Sequence, residues 1–121
     1  DDCTVPPKEL VDRFLAVCEA RPGRLGVHCL AGLGRTGTMI GIYWMKHCGF
    51  TADECIGWMR IVRPGSVIGR QQMYLHAVEN SMRSGKWDQG EDPAVMRCEQ
   101  AQEEAKALGL QVAASQNARA A

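Results

Sequence analysis

In the stretch "HCLAGLGRTG", Cys29 is followed after five residues by Arg35, and then by Thr36 and Gly37. The apolar run Leu25-Gly26-Val27 precedes it, and a longer one from Thr38 to Met45 follows. This order predicts a strand over residues 25–29, a glycine-containing turn, and a helix. The glycines let backbone N–H groups converge on one point, and the helix adds the positive end of its dipole. The product is a cradle for an anion. Arg35 is near enough in sequence for its planar fork to match two oxygens of a phosphate held there. Cys29 sits at the floor. A thiol ionises near pH ~8.5, and donors at a helix N-terminus lower that value to ~3.5–7.5. One loop thus activates a nucleophile and holds the phosphate it attacks, which is most of what phosphoryl transfer needs. The Thr36 hydroxyl is close enough in sequence to hydrogen-bond the thiolate and ease its departure from a phosphoenzyme. His28 could serve as a ligand or a base. The preferred reading is a buried, hydrogen-bonded support behind the loop.

The elements that must position these groups are mostly helical. Residues 8–20 read as an amphipathic helix with Leu10, Val11, Phe14, Leu15 and Cys18 on one face. Pro6 and Pro7 suit its first turn, and Thr4 is the expected cap. The second helix is expected from about Arg35 to Cys48, stopped by Gly49. The third begins at Thr51, with Glu54 at capping-box spacing, and ends near Arg63-Pro64-Gly65. A fourth covers residues 70–83. Beyond Lys86-Trp87-Asp88 the composition turns to alanine, glutamine and glutamate. Asp92-Pro93 could open a helix, but one without a strong apolar stripe. Residues 88–121 therefore read as a linker or loosely attached tail, partly helical or disordered. A single apolar strand wants neighbours on both sides. The expected fold class is α/β, with the earlier strands of the domain missing from this chain.

The chain has 121 residues, of which 45% are hydrophobic, enough for the core of one small domain. Lysine plus arginine balances aspartate plus glutamate at 14 each, so charge gives no case for nucleic acid or an anionic membrane surface as partner. The longest apolar run is too short to span a bilayer, and no leader-like opening argues for secretion. The six cysteines include no CxxC pair, which disfavours zinc, and their spacings are unlike a secreted disulfide framework. A reduced intracellular setting, in cytoplasm or nucleus, with no metal and no cofactor, is expected.

The signature and its surroundings, "VHCLAGLGRTGTMIGIYWMKHCGFTADECIGWMRIVRPGSVIGRQQMYL", resemble the second catalytic module of the cell-division-cycle-fourteen dual-specificity phosphatases. The resemblance covers residues 1–87, and its most specific part is the pairing of the signature with "RPGSVIGRQQ". It implies the C-terminal part of a cysteine-phosphatase catalytic domain. Cys29 matches the nucleophile and Arg35 the phosphate clamp, while Leu30, Ala31, Gly32, Leu33 and Gly34 supply loop N–H groups. "DCTVP" matches the stretch that carries the family's general acid, which places Asp2 in that role with Asp1 as its neighbour. Gln71 and Gln72 match glutamines that position the hydrolytic water. Three positions depart from the family: Leu30 stands for a lysine, Cys3 for a glycine after the acid, and Arg70 for the proline before the glutamines.

The resemblance implies a protein phosphatase acting on phosphoserine, phosphothreonine or phosphotyrosine, with a preference for phosphoserine before proline and a place in cell-cycle control. Its partners would be phosphorylated proteins. A phosphoinositide phosphatase is the alternative among enzymes, but the apolar Leu30 and Leu33 suit a multiply charged head group poorly. An inactive fragment or a phosphate-binding module is the alternative outside them. The intact Cys29 and Arg35 speak against a module without activity.

Overall fold

The computed structural model describes residues 4–29, 33–67, 69–90 and 92–120, and the side chains of these up to residue 109. Five α-helices run in the order α1 (Lys8–Ala20), α2 (Gly34–His47), α3 (Ala52–Val62), α4 (Arg70–Arg83) and α5 (Pro93–Ala120), with a 3₁₀ turn at Trp87–Gln89 between the last two. α4 is the hub. It packs on α2, α3 and α5, while α1 lies against α2.

Local sequence accounts for these boundaries. Thr51 accepts the Glu54 N–H while the Glu54 side chain accepts the Thr51 N–H, a complete capping box at the start of α3. Glu79 of α4 accepts the Ala52 N–H as well, so the α3 start is held from outside too. Asp92 accepts the Ala94 N–H and precedes Pro93 at the first position of α5, a favourable opening for a helix. That N–H holds the Asp92 carboxyl below its ordinary pKa.

The α1 start differs from expectation. Its N-cap is Pro7, with no cap from its own side chain. The Thr4 hydroxyl is not the cap. A carboxylate from another element does the work: Glu99 of α5 accepts the Lys8 N–H at 3.0 Å. The apolar face of α1 is also narrower than its sequence suggests. Val11 and Leu15 are buried, but Leu10 is 49% exposed, because it lies about 100° around the helix from Val11.

The core gathers Ile42 and Met45 of α2, Cys55, Ile56 and Met59 of α3, and Tyr74, Leu75 and Val78 of α4, with Trp87 and Val95 closing its far side. Two glycines let α2 approach closely. A Cβ on Gly41 would stand 3.2 Å from the Met59 methyl and 3.4 Å from Leu75. One core group is out of balance: the Tyr74 hydroxyl is buried without a hydrogen-bond partner among the described residues. Burial also pushes its pKa well up. An orphaned buried polar group costs ~1–3 kcal/mol. Tyr74→Phe should therefore raise stability by about 1 kcal/mol, a gain of several degrees in Tm for a domain this size. A calorimetric Tm that falls instead would reveal a partner for the hydroxyl.

The strand expected over residues 25–29 is not formed among the described residues. This segment has no regular secondary structure, and every regular element among the described residues is helical. A strand needs a neighbour for its N–H and C=O groups, and the described residues offer none. Leu25 is accordingly 43% exposed. His28, expected to be buried, is exposed.

Candidate active site

The segment before it brings Cys29 to the foot of α2. There the Thr36 hydroxyl donates a hydrogen bond to the Cys29 sulfur at 2.9 Å. Thr36 is buried, and Cys29 is half-buried. A donor already aimed at the sulfur favours its anionic form over the neutral thiol. Leu33 gives no side-chain cap to the first turn of α2, and a helix start of that kind suits an anion. Within α2, Thr38 returns its hydroxyl to the Gly34 carbonyl at 2.8 Å, which ties the first turn together.

Arg35, on the first turn of α2, is half-buried and lines a cavity of about 290 Å³ between residues 4–7, Met39 and α5. Cys29 is not among the described residues lining it. Of the remaining predicted site residues, Leu33 is half-buried and Gly34 buried. Leu30, Ala31 and Gly32 lie outside the described residues, as does Asp2 with its neighbours Asp1 and Cys3. Gln71 is fully buried, and its amide donates to the Thr4 carbonyl at 2.9 Å. Gln72 is half-buried one position on.

The pairing of "GRTG" with "RPGSV" acquires a physical reason. A Cβ on Gly37 would meet Met59 Sδ and Val67 Cγ2, each at 3.3 Å, and Ser66 Cβ at 3.5 Å. Glycine lets the loop after α3 press this closely on the helix that carries Arg35 and Thr36 without displacing Met59 or Val67. That loop is itself under constraint. Val67 has φ +58°, a left-handed conformation that a β-branched residue strongly resists. Arg60 holds it there, donating from Nε to the Ser66 carbonyl at 3.2 Å and from Nη2 to the Val67 carbonyl at 2.9 Å.

Two side chains that hold the segment before α1 were not singled out by sequence reasoning. Glu99 and Gln102 of α5 reach the segment before α1, where Gln102 pairs with both the N–H and the carbonyl of Val5. Their spacing with Val95 and Cys98 places them on one helical face, a polar stripe that a search for apolar periodicity passes over.

Three other cysteines, Cys18, Cys55 and Cys98, are at least partly buried. Burial pushes the Cys55 thiol up to about 12 and raises Cys18 and Cys98 as well. At neutral pH these three stay protonated, and the thiolate is the form that peroxide attacks. Dilute peroxide should modify Cys29 before any of them, with loss of turnover that a thiol reductant restores. Peptide mass spectrometry finding Cys18, Cys55 or Cys98 oxidised first would contradict this order.

Among the described residues no group of side chains could hold a metal ion, and no helix is long and apolar enough to cross a membrane.

Comparison with known proteins bears on the whole arrangement. The profile of the dual specificity phosphatase catalytic domain matches residues 8–81. The chain is 53% identical over 81 residues to dual specificity protein phosphatase CDC14AB of Danio rerio, covering 67% of this chain and 13% of that protein. It is 50% identical over 90 residues to CDC14A of Homo sapiens, 74% of this chain and 14% of the relative. With tyrosine-protein phosphatase CDC14 of Saccharomyces cerevisiae it shares 44% over 90 residues, 72% of this chain and 16% of the relative. The chain thus spans well under a fifth of the length of these relatives. A buried threonine at the foot of α2 bonded to a cysteine sulfur, and a matching profile that runs from α1 into α4, lead to one assignment: the chain belongs to the dual specificity phosphatase catalytic-domain family.

Proposed function

We propose that this chain carries the nucleophilic half of a protein phosphatase that hydrolyses phosphoserine, phosphothreonine and phosphotyrosine through a cysteinyl-phosphate intermediate. The observation that carries the reading is the Thr36–Cys29 hydrogen bond at the start of α2. In the first step the Cys29 thiolate attacks phosphorus and an S–P bond forms. The P–O bond to the substrate breaks, its electron pair stays on the departing oxygen, and that oxygen takes the proton of the Asp2 carboxyl. In the second step water attacks phosphorus and gives a proton to the Asp2 carboxylate. The S–P pair returns to Cys29, where the Thr36 hydroxyl stabilises the restored thiolate.

Arg35 clamps two phosphate oxygens. The N–H groups of Leu30, Ala31, Gly32, Leu33 and Gly34 take the rest, His28 supports the loop, and Gln71 and Gln72 orient the attacking water. The substrates are phosphorylated proteins, with phosphoserine before proline favoured and a setting in cell-cycle control. The neutral charge balance fits a partner other than nucleic acid or a membrane surface, and the cysteine usage fits the cytoplasm or nucleus.

Residues 25–29 act as an inner strand of an α/β domain. Two cavities beside the segment support this, one lined by Phe14, Leu25, Val27 and Ile40 and another by Val27, Ile40, Trp44 and Trp58. Residues 1–87 then form the end of the catalytic domain, and residues 88–121 its C-terminal extension.

The reading is tested by turnover of a phosphoserine-proline peptide against an inositol polyphosphate, with Arg35→Lys as the diagnostic variant. The peptide should be the better substrate. Arg35→Lys should cost ~10²–10³ in kcat, the range for losing one transition-state donor, because a point charge cannot replace a two-pronged clamp. Retention of most of kcat by the lysine variant would sink the clamp, and preference for the inositol phosphate would replace the substrate class.

A further inference from the structure

The loop between α3 and α4 is held in an unfavourable backbone conformation against the foot of α2. Val67 has φ +58°, which its β-branched side chain resists. Two side chains work against that resistance. Arg60 of α3 donates from Nε to the Ser66 carbonyl at 3.2 Å and from Nη2 to the Val67 carbonyl at 2.9 Å. Both donors belong to one rigid fork, so they fix the two carbonyls relative to each other. The Ser66 hydroxyl and the Ser66 N–H both donate to the Arg63 carbonyl, at 2.8 and 3.2 Å. Ser66 and Val67 are buried, while Arg60 itself is exposed on α3.

The loop rests on the turn that carries Thr36. A Cβ on Gly37 would meet Val67 Cγ2 at 3.3 Å and Ser66 Cβ at 3.5 Å. A Cβ on Gly65 would stand 3.6 Å from Leu33 Cδ1, so the same loop also reaches the residue that opens α2. The Gly37 N–H donates to the Leu33 carbonyl at 2.9 Å. Thr36 lies between these two residues, and its hydroxyl donates to the Cys29 sulfur at 2.9 Å. We infer that Arg60 is a positioning residue for the nucleophile: by holding the Ser66 and Val67 carbonyls it seats the loop on Leu33 and Gly37, and so keeps the Thr36 hydroxyl aimed at the Cys29 sulfur. This rests on the reading of Cys29 as the nucleophile. A hydrogen bond weakens steeply as its donor moves out of line, and this one favours the thiolate over the thiol. Without the fork, Val67 is free to relax to a negative φ, the loop backs away from Gly37, and the turn that carries Thr36 loses its support. Arg60 thus acts through the loop and not by contact with the reacting atoms.

The test reads the ionisation of Cys29 in the full chain, as its rate of alkylation by iodoacetamide across pH, followed by peptide mass spectrometry. The thiolate is the form that reacts. Thr36→Val removes a hydrogen bond to a charged group and should move the Cys29 midpoint up by about one pH unit. Arg60→Met keeps the stem and removes the fork. It should move the midpoint up by about half a unit, and lower kcat on p-nitrophenyl phosphate up to about threefold, the same half unit felt by the sulfur as it departs. In a Thr36→Val background Arg60→Met should shift the midpoint no further, because no donor is left to misalign. Arg60→Lys keeps the positive charge but not the fork, and should reproduce more than half of the Arg60→Met shift; it carries the comparison should Arg60→Met fail to fold. Cys48, exposed at the far end of α2, is the internal reference, and its alkylation profile should not move.

A lowered Tm in Arg60→Met with the wild-type Cys29 profile would make the fork structural and overturn the inference. A shift of full size in the Thr36→Val background would also overturn it, because the Arg60 charge would then act on the sulfur directly. So would a wild-type profile in Arg60→Lys, which would make the charge and not the fork the operative feature. If Thr36→Val moves the midpoint and neither Arg60 variant does, the positioning role falls and the nucleophile stands. If Cys29 of the wild-type protein reacts no more readily than Cys48 at acidic pH, the nucleophile reading falls and the inference with it.

Discussion

Replacement of Cys29 by serine is expected to abolish turnover and leave phosphate binding intact. The substitution changes one atom in the group that the Thr36 hydroxyl contacts at 2.9 Å. It leaves the α2 start, Arg35 and the Gly37 approach untouched. Serine hydroxyl ionises far less readily than a thiol, and nothing described near residue 29 is placed to remove its proton. Losing the nucleophile of a catalytic unit costs on the order of 10⁶ in kcat in a well-studied hydrolase, and a loss of that order is expected here. Phosphate should still protect the variant against thermal unfolding by the same increment as the wild type, since binding to the folded state alone raises Tm by mass action. Turnover by the serine variant near the wild-type rate would show that Cys29 is not the nucleophile. Lost phosphate protection would show that the sulfur is part of the binding site itself.

The legible part of this molecule was the part governed by local rules. α1 and α4 lie where apolar periodicity and flanking prolines and glycines put them, over Lys8–Ala20 and Arg70–Arg83. The capping box at Thr51 is formed as written. The Cys29–Thr36 contact follows from the signature alone. What escaped the sequence depends on partners far along the chain. The first turn of α1 is satisfied by Glu99, 91 residues away, and no local pattern announces a cap of that kind. The expected strand and the burial of His28 failed among the described residues because both need a neighbouring strand to exist. α5 read as a tail because sequence methods weigh apolar stripes, whereas its grip on residues 4–8 is made by an amide and a carboxylate.

The glycines also show how a signature residue can be structural without being catalytic. Gly37 belongs to the signature, and a Cβ there would meet Met59 and Val67. Its identity is fixed by the pressure of the loop after α3. That loop in turn carries a strained Val67 into the start of α4, where Gln71 begins the grip on Thr4. The two motifs are parts of one packing unit.

Asp2→Asn should then separate substrates by their leaving groups. Breaking the P–O bond of a phosphoserine peptide leaves a strongly basic alkoxide, which must be protonated as it departs. A positioned acid contributes ~10²–10⁴ to such a step, so the peptide should slow by about two to four decades. An aryl phosphate releases a weak base and should slow far less. The pH profile carries a second sign. With wild-type protein kcat on the peptide falls as pH rises and the acid loses its proton. The asparagine side chain has no proton to lose over that range, so the alkaline fall should flatten. The measurement is kcat for both substrates across pH for Asp2→Asn and Asp1→Asn. Equal losses on both substrates would make Asp2 structural. A differential loss in Asp1→Asn instead would move the proton donor by one residue.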